Sequence, residues 1–416
     1  MYDVIVVGTR VSGSPLAMLL ARQGHSVLAV DRATFPSDTP STHYIHQAGL
    51  KFLENWGLLD RVIATGVPPI RELNFSYRDF TINGFADNLN GIDAVYCPRR
   101  TVLDKILVDA AREAGVELLE DFTVSDLVFE GDTVVGIKGK QGTGEEQEFR
   151  AKIVVGADGA NSTVAKAVGA QAYEESPAAC FIYYSYYTGI DWGMHHRTGD
   201  GEQQFAAWPT NDGQYLVAVM RKRDRFRDFR QDPDAGVAEI ISQIDPEIGE
   251  RFKATAERVE PWRPMLYPDN FRRVPFGPGW ALVGDAGYHK DPFTGWGITD
   301  AFKYADLLAG YIHQGLSGER EMADGLAEFQ KERDAQSAST YELTQAISEL
   351  TFPPYYESVF RASSMEPEDY SKKFFGLIAG VYPPDKYFGE QNLADLYARV
   401  NFPEADRHTV NPLSQK

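Results

Sequence analysis

The sequence predicts an α/β chain with a parallel βαβ unit at the N-terminus, an antiparallel β-sheet domain further on and a helical C-terminal segment. Three observations predict it. Residues 2–7 form a β-branched run ending at Gly8, apolar residues recur at helical spacing over 15–23, and 26–30 reads as a second strand. From residue 178 onward, short runs of aromatic and β-branched residues alternate with Gly and Asp turns, the texture of an antiparallel sheet. From about Gly297 the spacing becomes helical, and beyond Thr351 the chain is rich in proline and aromatics, with short helices expected to the end.

In chain order, 100–114 is an amphipathic helix, and 116–119, 124–130, 133–139 and 153–155 are strands, with a Gly-rich acidic turn over 141–148 between the last two. Strands at 178–188, 204–209 and 214–221 build the antiparallel sheet. Residues 71–85 and 94–97 share its short-strand character and are expected to join it. Both domains are then discontinuous: 1–70, 98–177 and 265–345 form the first, 71–97 and 178–264 the second, and 346–416 a helical cap. A strand at 280–283 leads into the helix that starts near Gly297. No internal repeat or low-complexity stretch interrupts this order.

Composition narrows the function. At 416 residues and 43% hydrophobic content the chain can bury a large core. Lys plus Arg number 41 against 60 Asp plus Glu, a net charge of −19 that disfavours phosphate backbones, so no nucleic-acid partner is expected. The opening residues read as a strand rather than a leader and no apolar run has membrane-spanning length, so no membrane partner and a cytoplasmic location are expected. Cys97 and Cys180 give neither a disulfide framework nor a metal spacing, and the eight histidines contain no HExxH pattern, so no metal is expected. Oligomeric state stays open between monomer and homodimer.

Glycine turns carry the chemistry. Gly8-Thr9-Arg10-Val11-Ser12-Gly13 is a strand-to-helix turn, and Asp31 and Arg32 close the second strand, which is the setting of a dinucleotide fingerprint. Gly8 allows the tight turn, Gly13 lets helix and strand pack closely, the helix N-terminus attracts a pyrophosphate, and Asp31 can accept from ribose hydroxyls. Arg10 stands where the pattern has a glycine, and its guanidinium is expected to lie against the phosphates. In so acidic a chain Arg10, Arg32, Arg99 and Arg100 form local groups suited to an anionic cofactor. A second turn, Gly156-Ala157-Asp158-Gly159, follows another strand, with Asp158 reading equally as the N-cap of a helix over 161–168. A third, Gly284-Asp285-Ala286-Gly287, leads through Pro292, Gly295, Gly297 and Ile298 into a helix, and Arg100 with Leu103 and Asp104 opens another.

At these four places the chain resembles the FAD-dependent group A flavoprotein monooxygenases, the aromatic hydroxylases, and their relatives the geranylgeranyl reductases and flavin-dependent halogenases. The resemblance implies a Rossmann-like FAD-binding domain of glutathione-reductase type beside an antiparallel substrate domain. Around the cofactor it places Gly8, Arg10, Gly13, Asp31, Arg32, Arg100, Asp158, Gly159, Gly284, Asp285, Pro292, Gly295, Gly297 and Ile298. Asp285 would bond the ribitol chain of FAD, and the 156–159 turn would serve flavin and nicotinamide handling. Residues 292–297 would lie along the isoalloxazine edge, where helix amides stabilise negative charge. NADPH or NADH is implied as transient reductant and O2 as co-substrate, with a flavin C4a-hydroperoxide delivering oxygen to an aromatic or polyketide-like small molecule.

A double-bond reductase of geranylgeranyl-reductase type is the alternative, favoured by 291–298; a halogenase or a non-redox scaffold ranks lower. The aromatic-x-Trp-x-apolar-Pro motif of the reductases and halogenases is matched here by Gln204-Phe205-Ala206-Ala207-Trp208-Pro209, with Gln204 and Ala206 at the two aromatic positions. His43, His46 and His289 are candidate proton carriers. On the strand over 178–188, Phe181, Tyr183 and Tyr187 share one face and Tyr184 and Tyr186 the other. One face can line a substrate pocket, and Tyr183 is the candidate taken from it.

Overall fold

A computed structural model describes residues 1–408. Residues 409–416 of the expected C-terminal cap lie outside the described residues. Tyr2–Val7 runs through the middle of the first sheet because it can be buried on both sides: Val4, Ile5 and Val6 have no exposed surface, each worth about 1.5–3 kcal/mol on burial. It pairs in parallel with Val27–Val30 on one side and with the end of Glu146–Gly156 on the other. Glu117–Leu119 extends the sheet beyond Val27–Val30, and Trp280–Leu282 extends it beyond Glu146–Gly156.

The short strand expected at 153–155 is the end of one strand of 11 residues. Its first half pairs antiparallel with Thr133–Gln141, from Gly136 opposite Arg150 to Lys140 opposite Glu146, before its second half enters the parallel sheet. The turn is accordingly shorter than the expected 141–148. Exposed Glu146 and Glu148 stay extended because an edge ladder tolerates charge on its solvent side.

The second sheet runs in the order Glu257–Arg258, Cys180–Thr188, Tyr215–Lys222, Gln203–Pro209, Met194–Gly199, Leu73–Tyr77, Phe80–Gly84. Residues 94–97 do not join it: Val95 bridges Ile70 and Tyr96 bridges Ile45, so this stretch ties loops together instead. The sheet has two covered faces. Phe181, Tyr183 and Tyr187 enter a cluster with Phe229, Ile240 and Phe252 beneath the helices Pro233–Ile244 and Pro246–Thr255. Ile182, Tyr184 and Tyr186 enter a larger cluster closed by the helices Pro354–Ser364 and Tyr370–Ala379. The helix Gly297–Ser317 packs on both Gly13–Arg22 and the long helix Met322–Ser348. Among the described residues no helix is long and apolar enough to cross a membrane.

Candidate active site

Three glycine turns that are far apart in sequence meet at the C-terminal ends of the parallel strands. Gly8 has φ +96°, and a Cβ there would stand 2.6 Å from the Ala157 carbonyl oxygen. A Cβ on Gly13 would stand 1.8 Å from the Gly8 oxygen, and one on Gly284 2.1 Å from Ser12 Oγ. Only glycine permits these approaches, so the turns at 8–13, 156–159 and 284–287 form one rim. The N-terminus of Gly13–Arg22 carries no side-chain cap; Pro15 has no amide hydrogen and Ser14 donates to the Arg10 carbonyl, which leaves the Gly13 amide for a ligand. Asp31 is fixed at the same rim, accepting from the amides of Thr9 (2.7 Å) and Ala33 (2.8 Å).

Arg10, whose guanidinium is expected to lie against the phosphates, bonds Asp104 Oδ2 at 2.7 Å and Ser37 Oγ at 3.0 Å. Arg100 takes the same carboxylate through Nε (2.9 Å) and a terminal nitrogen (3.0 Å). Asp104 is fully buried, and two guanidiniums on one carboxylate leave the triad one net positive charge. Arg32 is exposed.

Ser162 is the N-cap of the helix Thr163–Ala167, its hydroxyl accepting from the Ala165 amide at 2.9 Å, while Asp158 Oδ2 accepts from the amide of Thr163 at 2.6 Å. Arg273, which no sequence motif singled out, ties two turns together by donating to the carbonyls of Ala286 (2.9 Å) and Ala160 (3.2 Å). Asp285 is half exposed, with His289 Nδ1 at 3.4 Å. Burial pulls the His289 imidazolium down, but the carboxylates of Asp285 and Asp291 pull it further up, for a net rise.

The segment from His289 to the helix Gly297–Ser317 is dense in buried polar groups. Lys290 pairs with Asp300. Asp291 accepts from the Tyr267 hydroxyl at 2.8 Å and from the Phe293 amide at 3.0 Å, and burial raises its carboxyl to about 6. Gly295 turns the chain with φ +70°, and a Cβ on Gly297 would meet open space. Ile298, expected at the cofactor, sends its side chain into the α/β core with Phe302 and Ala305, leaving only its amide at the helix start.

Beside this segment lies a half-open pocket walled by Ile182 of Cys180–Thr188 and residues of its neighbouring strands, by Pro292, Phe293, Thr294 and Gly295, and by Phe374, Phe375 and Ile378 of the C-terminal helices. Tyr183 is therefore a correction: it points to the opposite face of the sheet, packed on Phe181 and Phe229, and cannot reach the cavity. His46 does line it. Its Nε2 donates to the Thr294 carbonyl at 2.9 Å, and burial pushes its imidazolium down to about 4, so the ring is neutral. His43 is buried behind the wall, bonded to the Tyr186 hydroxyl, whose ring is covered by the Arg99 guanidinium at 3.6 Å. His196 and Gln204 also line the cavity. His196 was not singled out in sequence because Met194–Gly199 was not read as a strand of the antiparallel sheet.

A family model described as FAD binding domain matches residues 1–344. The chain belongs to that family. It is an FAD-dependent oxidoreductase, and its relatives divide among three reactions. The flavoprotein is 26% identical over 330 residues to a 1H-pyrrole-2-carbonyl-[peptidyl-carrier protein] brominase of Pseudoalteromonas luteoviolacea, covering 76% of this chain and 78% of that one. It is 27% identical over 334 residues to digeranylgeranylglycerophospholipid reductase 2 of Methanococcoides burtonii (75% and 74% covered). It is 26% identical over 362 residues to kynurenine 3-monooxygenase of Salinispora tropica (79% and 76% covered). The solved flavin-dependent brominase Bmp2 superimposes with a TM-score of 0.80 at 22% identity, over 96% of this chain and 98% of that one, which shows the shared fold.

Proposed function

We propose that this FAD-dependent oxidoreductase is a monooxygenase that uses NAD(P)H and O2 to hydroxylate an aromatic or polyketide-like small molecule. The observation that carries the reading is the aromatic-walled pocket directly against the 292–295 turn, beside the rim of glycine turns. The residues present fit FAD. The glycine rim and the uncapped helix Gly13–Arg22 would take the pyrophosphate, with the Arg10–Asp104–Arg100 triad adding one positive charge. Asp31 would receive ribose hydroxyls, and Asp285, half exposed, would receive the ribitol chain. The open face at Gly297 leaves the amides of the following helix free toward the ring.

When bound, FAD supplies the redox chemistry, passing two electrons from NAD(P)H to O2; overall, substrate C–H, O2, NAD(P)H and a proton give C–OH, water and NAD(P)+. The chain's own residues do the rest. The aromatic walls and the C-terminal helices surround the reacting face with apolar surface. His46, a neutral donor to Thr294, is a positioning residue that holds the 292–295 turn against the cavity. Gln204 and Ala206 line the cavity at the two aromatic positions of the reductase and halogenase motif, which favours hydroxylation over both.

The test is product analysis of the purified holoenzyme with a panel of aromatics, in parallel under air, under air with bromide, and without oxygen on a prenylated alkene. A product with one added oxygen, formed only under air, is expected. Bromination in preference to hydroxylation, or anaerobic reduction of the alkene, would replace this reading with the halogenase or the reductase.

A further inference from the structure

The turn at 284–287 rests on a short strand that the proposed chemistry does not use. Tyr288–His289 pairs antiparallel with Asn270–Arg273, with His289 opposite Phe271, and the imidazole packs on the Phe271 ring at 5.7 Å and 33°. The Arg273 guanidinium stands 4.1 Å over the same ring and donates to the Ala286 carbonyl. One aromatic ring thus carries two groups that reach back to the turn, Arg273 to its backbone and His289 to its carboxylate. His289 Nδ1 lies 3.4 Å from Asp285 Oδ2.

Packing alone does not account for this imidazole. His289 is 8% exposed and neither ring nitrogen completes a hydrogen bond, so an apolar side chain of the same size would bury there without leaving polar atoms unsatisfied. The groups that act on the ring are all acceptors: the carboxylates of Asp285 and Asp291 and the Pro268 carbonyl. Facing acceptors, the ring serves as a donor. Asp291 is already taken, by the Tyr267 hydroxyl and the Phe293 amide, whereas Asp285 is half exposed and open to a ligand. A donor beside Oδ2 holds one oxygen toward the strand and leaves Oδ1 for a ligand hydroxyl.

We infer that His289 is a positioning residue that holds the Asp285 carboxylate in place for the ribitol chain of FAD. The inference rests on Asp285 being the ribitol contact of the proposed flavoenzyme.

The dissociation constant of FAD, read on the full-length protein from flavin fluorescence without substrate or NAD(P)H, tests it through a cycle of variants. His289→Leu is expected to weaken FAD by about three- to tenfold, and His289→Gln, which keeps a donor, to recover part of that loss. In the Asp285→Ala background, His289→Leu is expected to change the affinity by less than about twofold, because the imidazole then has no carboxylate to hold. Should His289→Leu fail to fold, His289→Phe takes its place, keeping the stack on Phe271 and losing the donor. Parental affinity in His289→Leu, the same loss with and without Asp285, or equal affinity in His289→Leu and His289→Gln would overturn the inference. Parental affinity in Asp285→Ala would overturn the Asp285 contact and this inference with it. A holoenzyme that shows the expected differences but oxygenates no aromatic would overturn the monooxygenase reading and leave this one standing.

Discussion

Lys290 Nζ stands 2.7 Å from Asp300 Oδ2, and the two side chains are only 4% and 9% exposed. The pair joins the segment after Asp285 to the first turn of Gly297–Ser317, and Lys290 also reaches Thr340 Oγ1 at 3.3 Å. Removing one partner strands a buried charge. Lys290→Met is expected to cost about 3–5 kcal/mol of stability, and the double variant Lys290→Met with Asp300→Leu to regain most of it. Urea unfolding of the four proteins of this cycle checks it, and additive losses would show that the two groups do not act as a pair.

Asp285 is half exposed, and its near contact is His289 rather than a structural amide. Asp285→Ala is therefore expected to leave the apo-protein's melting point nearly unchanged while weakening FAD by roughly ten- to hundredfold, the worth of one charge-assisted hydrogen bond of ~1.5–3 kcal/mol. The ratio of visible flavin absorbance to protein absorbance, read with the apo-protein melting curve, checks both halves. Full flavin occupancy in the variant would remove Asp285 from the cofactor site.

These residues also show what a sequence can disclose. The turns at Gly8 and Gly284 were legible because each needs glycine for a positive φ, a local reason that leaves a local pattern, while Gly156 is needed because a Cβ there would strike the side chains of Leu282 and Val164. Period two separated Tyr183 from Tyr184 correctly, but which face meets the cavity depends on the helices Pro233–Ile244 and Pro246–Thr255 covering the other side. No helix was predicted there, although Asp232 and Asp245, each followed by proline, cap those helices by accepting from Ala235 and Ile248. The partner of Arg10 was not legible, since Arg10 lies in a turn and Asp104 on the helix Arg100–Glu113, 94 positions away, and only the folded chain brings them near.

Asp291 gives the stability a pH dependence of known sign. Burial raises its carboxyl from 3.8 to about 6 in the folded chain, so its favourable contribution is complete below 3.8 and is lost as pH rises through about 6. That change is worth about 3 kcal/mol. His46 and His196, both pushed down from 6.5 to about 4 by burial, run the opposite way: their contribution is present above 6.5 and lost as pH falls through about 4. Asp291→Asn removes only the first slope. Subtracting urea-unfolding free energies of variant from parent between pH 4 and 7 is expected to leave a difference that declines as pH rises; a flat difference would show that Asp291 titrates normally.

Trp296 fastens the C-terminal helices to the cofactor side. Its indole donates to the Ile378 carbonyl at 2.9 Å, and a Cβ on Gly380, whose φ is +73°, would stand 2.1 Å from the indole edge. Gly380→Val is expected to cost about 1–3 kcal/mol from the left-handed backbone alone and to shift the wall carrying Phe374 and Ile378. Substrate KM should rise several-fold with FAD retained, and Trp296→Phe should move KM the same way by less. Loss of flavin with KM unchanged would place these helices at the cofactor instead.

The most direct measurement of the proposed activity is isotope uptake from heavy dioxygen during NAD(P)H oxidation by the holoenzyme with 2-naphthol. One heavy oxygen atom in the ring product, formed in step with NAD(P)H consumption, is the expected result. A product with no oxygen from O2, while NAD(P)H is consumed and peroxide accumulates with every aromatic offered, would contradict it.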